Sequence, residues 1–317
     1  MTIRLILAAI LLFFIVCVFL VHLRGKYKLR FDRQLVDHSA VFAPYNLLMY
    51  AFSRAKAKPL LDRDEFPELD VFRDHWETIR DEALALSDEG RIRASLDNDD
   101  ASFASFFRQG WKRFYLTWYG EPLESAARLC PKTLELVRSV PNVKATMFAM
   151  LAPNSRLNPH RDPFAGSLRY HLGLKTPNSP DCAIFVDGQP HAWGDGKDVV
   201  FDETYVHWVE NKTDQSRLIF FADVERPLKT RFMRWLNHHF SALMGKLTRS
   251  PNQAGSGERT GLINRLYARS HGQRGDGAWQ RWKAGFKSRH RGVYKAGKYL
   301  AIALALWLVF AAPWPLA

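Results

Sequence analysis

The sequence predicts a mainly β core of the jelly-roll type (a double-stranded β-helix), with flanking helices and a terminal membrane segment at each end. Three observations carry this expectation. Short β-rich runs alternate with turn signals between residues 143 and 224. A His-x-Asp pair, His160 and Asp162, is answered much later by His207. Long apolar stretches close both ends, Leu5–Leu23 and Tyr299–Ala317.

Residues 1–24 read as an N-terminal transmembrane anchor. At 1.5 Å per residue, Leu5–Leu23 spans about 30 Å of hydrocarbon. A signal peptide is the rival reading. It carries a shorter apolar region and a small-residue cleavage site, whereas Val21-His22-Leu23-Arg24 stands at that place here. Arg24, Lys26, Lys28, Arg30 and Arg33 lie after the stretch and Arg4 before it, so the positive-inside rule puts the chain beyond residue 24 in the cytoplasm. Residues 25–110 read as a mostly helical, membrane-proximal region. Trp76, Ile79, Ala83, Leu84 and Leu86 recur at near-helical spacing, and Ser87-Asp88-Glu89-Gly90 reads as a helix start.

Residues 111–228 read as the jelly-roll core. Val143–Leu151 is the strand leading into the His-x-Asp pair, and Leu168–Leu174 alternates apolar with polar residues. Cys182–Val186, Val199–Phe201 and Arg217–Val224 are further strands. Asp187-Gly188 and Gly194-Asp195-Gly196 are turns between them. On a strand, residues i and i+2 point the same way, so His160 and Asp162 can converge on one ion. With His207 they offer two imidazoles and a carboxylate to one face of an octahedral metal, as in non-haem Fe(II) oxygenases.

Residues 229–298 read as a basic, aromatic membrane-surface region. From Arg226 to Lys298 the acids are Glu258 and Asp276 alone, and this stretch accounts for the whole +13 excess of the chain. Such a run can bind nucleic acid, but Phe232, Trp235, Phe240, Trp279, Trp282 and Phe286 beside an apolar segment favour anionic membrane lipids, with no nucleic acid expected. A solvated helical linker is an equal reading, and Asn252–Gly261 is its flexible break. Residues 299–317 either span the membrane or, because Pro313 and Pro315 interrupt them, lie at its interface.

The motifs His160-Arg161-Asp162-Pro163, Leu168–Leu174, Phe201–His207 and Ser216–Phe220 together resemble the aspartyl/asparaginyl β-hydroxylase family of Fe(II)/2-oxoglutarate dioxygenases, most closely its bacterial lipid A 2-hydroxylase branch. The resemblance implies His160, Asp162 and His207 as iron ligands. It implies Arg217 as the partner of the distal carboxylate of 2-oxoglutarate, with Arg169 and His171 at that cosubstrate's other end. The animal peptidyl hydroxylases have no carboxylate at the Asp162 position, so Asp162 favours the lipid branch. Fe(II), 2-oxoglutarate and O₂ are the cofactors implied. The substrate implied is an acyl chain of lipid A or its precursor, hydroxylated at C2. The location implied is the inner (cytoplasmic) membrane of a Gram-negative bacterium, with the catalytic domain facing the cytoplasm.

Two other functions stay open: a peptidyl Asp/Asn β-hydroxylase, and a non-catalytic membrane-anchored scaffold. Single residues have plainer readings too. Arg217 can pair with a surface acid, and His171 can be a hydrogen-bonded core histidine. Asp202 and Glu203 read as solvated turn residues, His191 as a loop residue, His238-His239 as a solvated pair on a helix. Trp193, Tyr205 and Trp208 read as packing. Three cysteines make no disulfide framework, which fits a reducing compartment. The sequon Asn211-Lys212-Thr213 reads as a loop.

Overall fold

The computed structural model describes residues 2–35, 37–94, 100–253, 256–271 and, beyond these, 282, 285–286, 288–294 and 297. The C-terminal apolar segment 299–317, whose spanning or interfacial state the sequence leaves open, lies outside the described residues. The compact unit that carries the site runs from Cys17 to Ser270.

Its strands are β1 (Leu60–Leu61), β2 (Trp111–Trp118), β3 (Glu121–Pro122), β4 (Val143–Leu151), β5 (Ser155–His160), β6 (Ser167–Lys175), β7 (Cys182–Val186), β8 (Gln189–Ala192), β9 (Asp198–Phe201), β10 (His207–Asn211) and β11 (Arg217–Glu225). One sheet has the order β1-β9-β6-β11-β4-β2-β3 and the other β5-β10-β7-β8. Every strand pairing is antiparallel. From β4 to β11 the chain places four strands in each sheet, crossing between them repeatedly. That is the expected jelly roll. β5 carries Pro159 and sits at a sheet edge, where a missing N–H leaves no gap in a ladder.

β6 shows how the alternating pattern is used. Both of its faces are buried. One face takes Tyr170, whose ring lies 5.9 Å from that of Phe72. The helix Trp76–Asp88 packs on this sheet with Ile79, Ala83 and Leu86 buried. The other face holds Arg169 and His171 against the interior pocket. The polar residues of the alternation therefore line the inside of the roll. The helix also ends where a start was expected. It stops at Asp88, and Gly90 takes φ +66°, the left-handed conformation that closes helices.

Further expectations are corrected. Asn252, the first residue of the expected break Asn252–Gly261, is pinned: its side chain is buried, accepts from Tyr115 N at 2.7 Å and donates to Tyr115 O at 2.8 Å, while residues 254 and 255 of that stretch lie outside the described residues. Asp202 and Glu203 are not solvated; both are buried. His191 lies in β8 rather than in a loop. Asn211 is buried and donates to Ala152 O and Gln215 O, so its amide is committed inside the fold.

The N-terminal helix runs Thr2–Leu23, and Ile3–Leu23 is long and apolar enough to cross a membrane. Its last turns bury Cys17, Val18 and Val21 against Ala40 and Ala43. The chain leaving it is strapped to the jelly roll. Arg24 Nη2 donates to Asp202 Oδ2 at 2.5 Å, between the rings of Tyr50 and Tyr205 at 3.9 and 4.2 Å. Lys26 N and Tyr27 N both donate to Asp187 Oδ1 at 2.7 Å. Just before them Gly25 has φ +81°, and a Cβ there would stand 2.6 Å from Asp187 Oδ1, so only glycine fits.

Asp202 has a second cation, Arg226, at 2.9 Å. Burial alone would raise its pKa, but Arg226 and Arg24 outweigh that and hold it at about 2. A depressed folded value stabilises the fold above the ordinary carboxylate range and loses that contribution as pH falls toward the folded value. The contribution is about 2 kcal/mol and is lost between about pH 4 and pH 2. Asp202→Asn should therefore lower the unfolding midpoint of detergent-solubilised protein at neutral pH, and the gap to wild type should shrink as pH falls through that window. A gap independent of pH would contradict this.

A candidate metal centre and its pocket

Antiparallel pairing of β5 with β10 sets His160 directly across from His207. Their rings lie 4.2 Å apart, centroid to centroid. Asp162 comes two residues past the end of β5, where its backbone N–H donates to Glu203 O at 3.0 Å. The ligand atoms of the three residues all fall within 4.8 Å of one another, and His160 Nε2 is 3.6 Å from Asp162 Oδ1. Each histidine is oriented by the backbone carbonyl two residues before it. His160 Nδ1 donates to Asn158 O at 2.7 Å, and His207 Nδ1 to Tyr205 O at 3.0 Å. Against carbonyl acceptors Nδ1 carries the proton, which leaves both Nε2 lone pairs for a metal. Burial first, and His160 second, push the His207 pKa down to about 3, so it is a neutral donor at physiological pH.

Arg169 sits behind the carboxylate. Its Nη2 donates to Asp162 Oδ2 at 2.9 Å and also pairs with Glu203, while its Nε donates to Asp223 Oδ1 at 2.8 Å. Burial pushes Asp162 up, but the Arg169 guanidinium outweighs it, so Asp162 stays ionised. Glu203 is pushed well above the usual carboxylate range by burial, against the pull of Arg169. The sequence pointed Arg169 at a cosubstrate; the structure commits its guanidinium to three carboxylates, one of them the candidate ligand.

Across the pocket the situation is reversed. Arg217 is buried, stacks over Trp193 at 4.3 Å, and has no carboxylate partner among the described residues. Its Nε finds no hydrogen bond, nor does Trp193 Nε1, nor either ring nitrogen of His171. The plainer readings, Arg217 on a surface acid and His171 hydrogen-bonded in the core, are thus not what is found. Burial pushes Arg217 down to about 10 and His171 well below its usual value. Each orphaned group costs about 1–3 kcal/mol when buried without a partner. A cluster of them round one pocket is a preformed polar site, and its unpaired guanidinium selects an anion. The residues therefore fit both a divalent metal and a dicarboxylate.

The pocket holds about 430 Å³, its open mouth included. β11 supplies Arg217, Ile219 and Phe221 at alternate positions, and Phe103, Phe106 and Trp111 complete the wall. Phe106 lies tilted against His160 at 4.7 Å and Phe103 stacks on Trp111 at 4.7 Å. Sequence reading missed this aromatic wall, as it missed Glu203 and Asp223. Trp193 does more than pack, since its indole is a platform for Arg217. Tyr205 and Trp208 do pack: Tyr205 faces Arg24, and Trp208 lies 5.0 Å from Phe185. The signal for Asp223 was present, since it lies i+6 from Arg217 on one strand and so faces the same interior.

A jelly roll whose inner face presents two histidines and an aspartate beside a buried free arginine defines a metal-dependent oxygenase type of site. Residues 73–227 match the profile of the Aspartyl/Asparaginyl beta-hydroxylase family. Among curated relatives, the ornithine lipid ester-linked acyl 2-hydroxylase of Rhizobium tropici is 40% identical over 128 residues, covering 39% of this chain and 46% of that protein. Human aspartyl/asparaginyl beta-hydroxylase is 30% identical over 158 residues, 48% of this chain and 20% of that protein. The chain thus spans less than half the length of either. Of solved structures, a Pseudomonas putida prolyl-4-hydroxylase aligns at 17% identity with a TM-score of 0.33, over 48% of this chain and 87% of that one. That likeness is too distant to carry any residue across.

Proposed function

We propose that this protein is an Fe(II)/2-oxoglutarate-dependent hydroxylase acting at C2 of an acyl chain of a membrane lipid, with lipid A or its precursor as the substrate. The observation that carries the cofactor reading is the buried Arg217, without a carboxylate partner among the described residues, in the pocket of His160, Asp162 and His207. The match of residues 73–227 to that family's profile supports the same chemistry. The lipid reading draws on the Rhizobium relative, on the apolar helix Ile3–Leu23 and on the aromatic wall of the pocket.

His160, Asp162 and His207 would hold Fe(II), which when bound supplies the O₂ chemistry. One oxygen atom goes to succinate as 2-oxoglutarate loses CO₂, and the other becomes the new hydroxyl. The chain's own contribution is placement. Arg217 anchors the distal carboxylate of 2-oxoglutarate, and neutral His171 offers a hydrogen bond beside it. Arg169 holds Asp162 ionised and aimed. Phe103, Phe106 and Trp111 keep water away and give an acyl chain an apolar wall. The positive run after the span, Arg24 to Arg33, favours a catalytic domain on the cytoplasmic face of an inner membrane. The similarity to the Rhizobium ornithine lipid hydroxylase favours a second substrate, an ornithine-type lipid, with the same site and chemistry.

Arg217→Lys keeps the charge and loses the fork. The apparent 2-oxoglutarate affinity should fall by about 1.5–3 kcal/mol, roughly ten- to a hundredfold, with iron binding intact. An unchanged cosubstrate titration would remove Arg217 from the site. Substrate class is tested by incubating full-length, iron-loaded protein with lipid A, an ornithine lipid or an Asp/Asn peptide, and measuring succinate and a product one oxygen heavier. Oxygen appearing at C2 of an acyl chain is the expected result, and a product confined to the peptide would overturn the lipid reading. A reporter fused after residue 250 should behave as cytoplasmic; an external one would reverse the topology.

A further inference from the structure

The helix Arg231–Thr248 wears its apolar residues on the outside. Its buried stripe is Met233, Asn237, Ser241 and Gly245, mostly small or polar. Asn237 accepts from Tyr45 Oη at 2.6 Å and donates to Gly166 O at 2.9 Å. Gly245 lies so close to Tyr119 that any Cβ would collide with it. The outward face carries Phe232, Trp235 and Leu243, which are 61%, 55% and 53% exposed. The first two stack on each other at 6.0 Å. Amphipathic helices of soluble domains turn this face inward. Here the fold has matched the opposite face to the domain and left the apolar one free.

Charge and position say what covers it. From Lys229 to Arg249 there are five basic residues and no acid. Arg231, Arg234 and Lys246 are exposed on the helix itself. An apolar stripe flanked by cations suits an anionic bilayer surface and would repel a second copy of the same basic face. Position agrees. The helix packs on Ala43–Phe52, with Tyr45 stacked on Phe240 at 4.4 Å. Ala43 of that neighbour is buried with Cys17, Val18 and Val21, the last turns of the apolar span. Exposed Val41 and Leu48 carry the apolar surface across. Whatever packs beside the last turns of a span sits at the depth of the lipid headgroups.

We propose that the face of Phe232, Trp235 and Leu243 docks on the anionic lipid surface of the membrane that Ile3–Leu23 enters, with Arg231, Arg234 and Lys246 on lipid phosphates. This rests on the reading of Ile3–Leu23 as a span. Docking at this second place, besides the span, fixes the tilt of the domain and keeps the pocket within reach of a lipid substrate.

The test uses full-length Leu243→Cys protein, labelled with an environment-sensitive fluorophore. The native cysteines are all buried, so the label goes to position 243. The protein is reconstituted in nanodiscs of phosphatidylcholine alone or mixed with phosphatidylglycerol, with nitroxide on the lipid chains or in the water. The expected result is severalfold stronger quenching by lipid nitroxide in anionic discs, with shielding from the aqueous quencher. Arg231→Glu with Arg234→Glu should abolish that difference while the protein still co-elutes with discs and unfolds at the wild-type temperature. A label open to water in anionic discs, in protein that co-elutes, overturns the docking and leaves the span. A label shielded from both quenchers means a protein covers the face, and also overturns it. Protein that does not co-elute with discs overturns the span and the docking together.

Discussion

One guanidinium against three buried carboxylates is the constraint on which this site depends. Arg169 meets Asp162, Glu203 and Asp223 inside the roll, where each unscreened charge costs several kcal/mol. Three acids and one cation do not balance. The structure resolves the excess by keeping Asp162 ionised and pushing Glu203 toward its neutral form, with Asp223 also raised by burial. The carboxylate that stays charged is the one facing His160 and His207. A divalent cation there would complete the balance, which is a physical reason for the ligand set to be held ready. Removing Arg169 would leave acids that must take up protons, and the orientation of Asp162 would be lost with it.

The far wall of the pocket applies the opposite logic. Arg217 is a cation without an acid, held by an indole face rather than by a counter-ion. The two arginines point inward from adjacent strands, β6 and β11, yet one is satisfied and the other waits. The satisfied one holds a candidate metal ligand, Asp162, and the waiting one is placed to meet a ligand's carboxylate. That division could not be read from residue type.

Much of the fold was legible in the chain. Val143–Leu151 and Cys182–Val186 are strands with the expected ends, and His160, Asp162 and His207 do converge, although Asp162 lies past the end of β5 rather than on the strand that the i, i+2 reading assumed. What was not legible depends on tertiary burial. The polar half of Leu168–Leu174 looks like a solvent face, and becomes the lining of a cavity only because a second sheet covers it. Asp202 and Glu203 look like turn residues until Arg24, Arg226 and Arg169 arrive from distant segments. Asn252 sits in a Gly- and Ser-containing stretch that composition marks as flexible, yet its amide pairs with both backbone groups of Tyr115. The aromatic wall comes from residues 103–111, ahead of every recognised motif.

The strap after the apolar helix ties these parts together. Arg161, between two of the metal-binding candidates, donates to Thr204 O at 2.7 Å and to Arg24 O at 2.8 Å. The end of the helix and the loop that delivers His207 are thereby one hydrogen-bonded unit. The central claim is that His160, Asp162 and His207 hold iron while Arg217 holds 2-oxoglutarate against it. Anaerobic titration of 2-oxoglutarate into the Fe(II)-loaded full-length protein tests this most directly. A visible charge-transfer band that saturates at one equivalent, and that is absent from His207→Ala, is the expected result. No band in wild-type protein that has bound its iron would contradict it.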